Sequence, residues 1–278
     1  MNNILSKLLC GLFIVLMSTP AEAGFYTDST KLFANNTGNI SAKSFTRTMV
    51  KEANIIYPAT LQANMDESLD YVQKFSNTKR NYLIRTYQKG KKYFPKIAAV
   101  LKRFYLPQEL KVLIALESAF NANAVSGAGA VGYWQMMDDV AKEYGLHIGD
   151  NTTPAGSKNK KKDDRTNFAK STLAAVRYLK DRAGNLNKNL LLMVASYNWG
   201  IGNVRNAMKR TGKSSPDFWD IKKYLPSETK AYVMNFIALN VIFENYDKFV
   251  SNKLVFNSEN IEVPVTENVS KLSTSITE

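Results

Sequence analysis

From Leu69 onward, apolar residues recur at helical spacing, and strand-like alternation is almost absent. Phe94, Ile97, Ala98 and Leu101 form a stripe that opens beside Pro95, a residue suited to the first turn of a helix. Pro107 is placed to open the next helix, running from Leu106 to Ser118. In it Leu110, Leu113, Ile114 and Glu117 fall at i, i+3, i+4 and i+7 and share the inward face. Leu173, Val176 and Leu179 mark a further helix, and Val233, Phe236, Ile237 and Val241 a last one. Leu190 to Ala195 is apolar on all sides, which predicts a central element. The pattern predicts an all-α fold. Residues 24 to about 60, rich in Ser, Thr and Asn, read as an extended or partly ordered arm. Beyond Val250 the chain turns polar again. Ile261 to Val265 could be extended, inside what is expected to be an exposed tail.

Glu117 interrupts an apolar face. A carboxyl group withdrawn from water resists ionisation, so its pKa rises, and an acid still protonated near neutral pH can donate to a leaving group. The plain alternative is a helix-terminal Glu that bends out to solvent. Fifteen residues on, the chain reads Gly132-Tyr133-Trp134-Gln135-Met136-Met137, a glycine turn followed by an amide.

Composition then removes competing chemistries. The chain has one Cys, Cys10, and one His, His147. A Ser-His-Asp or Cys-His nucleophile needs an imidazole base, and the common zinc sites need several His or Cys ligands. His147 reads as a surface or loop residue. Carboxylates, amides and hydroxyls remain, which favours acid-catalysed work on glycosidic bonds and calls for no metal and no cofactor.

Lys7, the ten-residue apolar run Leu8 to Met17, and Pro20-Ala21-Glu22-Ala23 before Gly24 predict a cleaved secretory signal over residues 1–23. Ten apolar residues are too few to span a bilayer. Cys10 should leave with the signal, so a periplasmic or secreted mature chain would hold no disulfide. The formal charge of +13 asks for an anionic partner. Export argues against nucleic acid and for peptidoglycan, with peripheral contact to anionic envelope surfaces. The basic run Lys158 to Lys162, followed by Asp163-Asp164, reads as a solvated loop.

Four ordered blocks carry a resemblance: Leu116-Glu117-Ser118-Ala119-Phe120-Asn121, Ser126 through Met137, Ala195-Ser196-Tyr197-Asn198-Trp199-Gly200, and Glu228-Thr229-Lys230-Ala231-Tyr232-Val233. Together they resemble the soluble lytic transglycosylase domain of glycoside hydrolase family 23. From about Leu69 to Phe249 the chain most resembles the branch of membrane-bound lytic murein transglycosylase D, with Leu69-Asp70-Tyr71-Val72-Gln73-Lys74-Phe75 upstream and Asp217-Phe218-Trp219 downstream. The resemblance implies a lysozyme-like helical domain over 69–250, with a helical lead-in to about 105. An arm over 24–68 would precede it and an exposed tail over 251–278 follow it. It further implies a groove for peptidoglycan glycan strands and cleavage between N-acetylmuramic acid and N-acetylglucosamine.

Carried over by motif, Glu117 is the single catalytic acid and then base. Ser118, Gln135, Met136, Tyr197, Asn198 and Tyr232 are the substrate-binding set. Ser118 would orient the acid or touch the glycan, and Gln135 would offer a donor and an acceptor to the sugar. Tyr197 would bond the catalytic carboxyl or an acetamido group, beside Asn198, with Tyr232 as a second groove tyrosine. Gly129 and Gly132 would let backbone approach the strand, or simply make a tight turn. Trp134 and Trp199 could stack on sugars or fill the core. Tyr133 and Asp138 depart from the family pattern, which commonly has Leu or Ile and Pro there, and no LysM module is expected. With no second carboxylate within the Glu117, Gly132 to Gln135 or Tyr197 blocks, the expected products are 1,6-anhydromuramyl glycans. A hydrolytic muramidase resembling goose-type lysozyme, and a peptidoglycan-binding scaffold without activity, are the alternatives.

Overall fold

Helices α7 (Leu190–Trp199) and α10 (Ser227–Glu244) are buried around most of their circumference and form the centre of the molecule's helical part. The structure, a computed structural model, describes residues 46–149 and 162–264. The expected signal sequence, residues 24–45 of the arm, most of the basic run Lys158 to Lys162 and the end of the tail lie outside the described residues.

The described residues fall into two units. The first runs from Ile56 to Tyr246. In chain order it carries α1 (Met65–Thr78), α2 (Arg80–Gly90), α3 (Phe94–Arg103), α4 (Leu113–Ser118), α5 (Asp138–Glu143), α6 (Phe168–Asn185), α7, α8 (Ile201–Lys209), α9 (Phe218–Ile221) and α10. α10 packs against α1, α7 and α4, and α6 packs against α7 and α3. The helical class expected from periodicity is the class observed.

Local chemistry explains the element ends. Pro95 sits in the first turn of α3, where its missing N–H has no helical acceptor to lose. Asn167 and Asn189 cap α6 and α7, each accepting a backbone N–H with its side chain, from Lys170 and Leu192. α7 stops at Gly200, whose φ of 85° is open to glycine and strained for other residues. α9 opens with a reciprocal capping box between Asp217 and Asp220.

The structure corrects the expectation of one helix from Leu106 to Ser118. Pro107 caps a 3-10 turn, Gln108–Val112, and the α-helix proper begins only at Leu113. A 3-10 lead into an α-helix is a common way to start a short element. Leu110, Leu113 and Ile114 are nonetheless fully buried, so the inward face was assigned correctly.

The second unit comprises, among described residues, 46–55 and 247–264. β1 (Thr46–Lys51) pairs antiparallel with β2 (Glu259–Pro264), with Met49 opposite Ile261. Asn54 ties the two ends together: its Oδ1 accepts from the Val255 N–H at 3.0 Å, and its Nδ2 donates to the Lys253 carbonyl at 2.8 Å. α11 (Tyr246–Val250) spans the junction of the two units in sequence. Thus the polar stretches read as a loose arm and an exposed tail contribute a strand each. The signal was weak because each strand's partner lies about two hundred residues away in sequence and the ribbon has two strands only.

Among the described residues, no helix is long and apolar enough to cross a membrane.

Candidate active site

Glu117 is the penultimate residue of α4. The helix stops because Ala119 and Phe120 both take left-handed backbone conformations, with φ of 48° and 63°. Such φ values are unfavourable for residues with a Cβ and persist only where packing enforces them. Here the enforcement is visible: Phe120 is buried, its ring stacked on Tyr93 at 5.1 Å and edge-on to Phe94 at 5.6 Å. The chain is thereby folded sharply away just after Glu117.

Ser118 does not bond the Glu117 carboxyl. Its Oγ donates to the Tyr133 carbonyl at 2.8 Å and lies 3.3 Å from the Ile114 carbonyl, so it pins the end of α4 to the glycine loop. In this way Ser118 fixes where the acid stands.

The carboxyl contact comes from α10: the Tyr232 hydroxyl donates to Glu117 Oε1. Tyr197, which the family pattern suggested for that contact, instead donates to the Trp134 carbonyl at 2.8 Å. It stays close enough for the Glu117 charge to help hold its hydroxyl proton, second to burial as a cause. Burial pushes the Glu117 carboxyl up to about 8, against a smaller opposing pull from the Tyr232 hydrogen bond. No charged neighbour contributes to that shift. The alternative of a solvent-turned Glu is therefore not what the structure shows.

The glycine loop is held from beneath. Gln135, itself at φ 47°, spends its amide donor on the Ala124 and Gly132 carbonyls at 3.0 and 2.9 Å. That leaves its side-chain oxygen without a bond from any described residue. Met136, expected at the substrate, is buried at 4% exposure, and its carbonyl accepts from Arg165 at 3.1 Å. Trp134 is wholly buried, with Nε1 donating to Thr172 Oγ1 at 3.0 Å, so it fills the core and offers no stacking face. Trp199 stays half-buried. Asn198 accepts at 2.8 Å from Thr229 Oγ1, which joins α7 to α10 beside Tyr232.

Gly132 also differs from expectation. With φ of 83°, a Cβ placed there would lie 2.1 Å from the Arg165 carbonyl oxygen. Its missing side chain admits the protein's own backbone, and a glycan strand would find that space taken. Around Gly129 the space is open.

Arg165 was not singled out in the sequence. It is buried at 2% exposure, chelates Asp163 through Nε and Nη2, and pairs through Nη1 with Asp138. Burial alone would raise the Asp163 carboxyl, but the hydrogen bonds and charge of Arg165 outweigh it and leave the group below the usual carboxylate range. Asp138, the departure from the family's Pro, thus has a partner. The available signal was Asp163-Asp164-Arg165 directly after a basic run, which reads equally well as surface charge. His147 is exposed, as expected. Among the described residues, no three His, Cys, Asp or Glu side chains come together to hold a metal ion.

Comparison with known proteins agrees with the sequence blocks. Residues 95–219 match the family model of the Transglycosylase SLT domain. Membrane-bound lytic murein transglycosylase D of Escherichia coli strain K12 is 34% identical over 187 residues, 66% of this chain and 38% of the relative. The protein of the same name from Escherichia coli O6:H1 aligns to the same extent. The chain therefore matches well under half the length of these curated relatives. An inactive mutant of the lytic transglycosylase Slt from Pseudomonas aeruginosa aligns at a TM-score of 0.42 and 21% identity, over 68% of this chain and 30% of its own. The 70 kDa soluble lytic transglycosylase of Escherichia coli aligns at 0.41 and 22%, over 54% of this chain and 24% of its own. Both superpositions are too partial to argue from. Glu117, its glycine loop and Tyr197 all lie within the matched residues, and Tyr232 lies beyond them; residues 95–219 are a transglycosylase SLT domain.

Proposed function

We propose that the protein is an exported peptidoglycan lytic transglycosylase, with Glu117 as acid and then base. One observation carries the reading: a buried carboxyl whose pKa is raised to about 8, anchored at one oxygen by Tyr232, in a site where no second carboxylate perturbs it. At neutral pH such a group is mostly protonated and can act as a general acid.

The chemistry follows from a single carboxyl. Glu117 protonates the oxygen linking N-acetylmuramic acid to N-acetylglucosamine, and the C1–O bond breaks. The muramyl acetamido oxygen stabilises the developing cation at C1. The sugar's own 6-hydroxyl then closes on C1 while the Glu117 carboxylate takes its proton, which regenerates the acid. The product is a 1,6-anhydromuramyl end. Retaining and inverting hydrolases use a second carboxylate, as nucleophile or to activate water; this route needs neither.

Glu117 is the catalytic residue in this reading. Gln135 contributes its unengaged oxygen to a sugar donor, Tyr197 and Asn198 line the adjoining wall, and Ser118 and Tyr232 position the acid. Met136 is dropped from the contact set because its side chain is inside. Export by the signal over residues 1–23 delivers the enzyme to the periplasm or beyond, where its basic surface meets an anionic wall. The lysozyme-like domain is assigned to residues 69–250. The names of its relatives, murein transglycosylases, support the substrate.

The test is mass analysis of muropeptides released from purified sacculi. Products one water lighter than hydrolysis products are expected. Reducing-end muramic acid alone would favour a hydrolase, and no release by the folded protein would favour a scaffold.

A further inference from the structure

A cavity of about 320 Å³ opens in the first unit, and none of the residues placed at the Glu117 site lines it. That volume is at the lower end of the roughly 300–1,000 Å³ found for small-ligand sites. Its apolar walls are the aromatic side chains of Tyr87, Phe94 and Phe243, which also touch one another, Tyr87 to Phe243 at 5.2 Å and Phe94 to Phe243 at 5.8 Å. Two kinds of charge share the same small space: Lys91 and Lys111, and Glu109 and Glu244.

Glu109 is the informative member. Its Oε2 is shielded from solvent and accepts a hydrogen bond from no described residue. A carboxylate oxygen in that condition is costly unless a donor reaches it. Neither lining lysine supplies one, although Lys91 reaches to 5.6 Å from the centre of the Tyr87 ring. Aromatic faces beside an unmet carboxylate suit an ammonium group. The lysines in the same cavity suit a carboxylate. A ligand answering all three carries an ammonium and a carboxylate on a short aliphatic frame.

We propose that this cavity binds the amino-acid end, ammonium and carboxylate together, of a diamino dicarboxylic acid. The ammonium meets Glu109 Oε2 and Glu244 over the aromatic wall, and the carboxylate meets Lys91 and Lys111. The peptide stems of peptidoglycan are one source of that chemistry and free diamino acid is the other; the first source rests on the function proposed above. Glu109 lies in the 3-10 turn that runs directly into α4, so a stem held there would help seat its strand against the helix that carries Glu117.

The test is titration of the whole protein with meso-diaminopimelic acid, followed by amide chemical shifts or calorimetry. Glutaric acid and 1,5-diaminopentane serve as probes that each lack one charge type. Saturable binding of diaminopimelic acid is expected, weaker by about tenfold or more for either control probe, and for Glu109→Gln and Lys111→Met. Glu117→Gln should bind as tightly as the wild type. A disaccharide tetrapeptide that competes identifies the stem as the source, and one that does not identifies the free acid. On peptide-bearing strands Glu109→Gln should raise KM, with kcat unchanged on strands stripped of peptide. Absence of saturable binding, or equal binding by folded Glu109→Gln, overturns the proposal. Failure of the enzyme reading shows separately, as binding that persists in a protein releasing no muropeptides.

Discussion

Two carboxylates partly withdrawn from water, Glu117 and Asp163, both adjoin residues that hold the glycine loop, and their pKa values move in opposite directions. Glu117 is withdrawn from water with a tyrosine hydroxyl as its partner and no cation, and its pKa rises to about 8. Asp163 is held by Arg165, which overcomes the cost of burial and pulls the group down. The first arrangement keeps a proton ready for transfer. The second holds Asp163 ionised in an ion pair that clamps the loop. Arg165 joins Asp163, Asp138 and the Met136 carbonyl, and its own carbonyl packs into the space left by Gly132. Burial alone does not decide a carboxylate's role; the presence or absence of a cation does.

The largest expected effect tests the first half of that contrast. Glu117→Gln keeps shape and hydrogen bonding but removes the transferable proton, so release of muropeptides should fall by about 10² to 10⁴ while the circular dichroism spectrum stays helical. A folded variant within a few fold of wild type would remove Glu117 from the mechanism.

Breaking the clamp comes next. Arg165→Met leaves the half-buried Asp163 without its cation and frees the Met136 carbonyl, and leaving such acceptors unmet costs about 1–3 kcal/mol. Denaturant midpoints should drop accordingly, and activity should fall with the loop's order. A variant as stable as the wild type would show that Arg165 is a surface charge in practice.

The pH dependence of stability sharpens the comparison. Because the folded-state pKa of Glu117 is raised above its ordinary value of 4.5, its protonated form favours folding at low pH. That advantage is lost as pH rises through about 8. Glu117→Gln has no proton to lose, so it should be more stable than the wild type at pH 9, on the order of 2 kcal/mol, with the gap closing near pH 5. Activity should fall over the same alkaline range. A gap that widens toward acid would reverse the assigned sign.

The smallest effect concerns Tyr232. Its hydrogen bond lowers the Glu117 pKa, so Tyr232→Phe should move the alkaline limb of the rate profile to higher pH. The pH-optimal rate should also drop by about tenfold, through poorer placement of the acid. An alkaline limb that moves to lower pH would contradict the role.

How much of this was legible in sequence varied with the range of the interaction. Leu110, Leu113 and Ile114 at helical spacing revealed the inward face on which Glu117 stands, because neighbours three and four apart share a side of a helix whatever surrounds it. The apolar run Leu190 to Ala195 likewise announced a central helix. Sequence blocks alone marked Glu117, Tyr197 and Tyr232 as members of one site. They did not show which tyrosine touches the acid, since that depends on how α7 and α10 meet α4.

Sequence by itself thus determined the helical class and the inward face of the helix on which Glu117 stands. Tertiary structure alone decided that Tyr232 holds Glu117 while Tyr197 holds the Trp134 carbonyl. It also decided that Trp134 and Met136 face inward, and that residues 46–51 find a strand partner at 259–264. The physical reason is common to all of them. Desolvation, hydrogen bonding and ion pairing act between atoms that folding brings together, and Arg165 beside Asp138 and Gly132 is a relation that spacing along the chain does not encode.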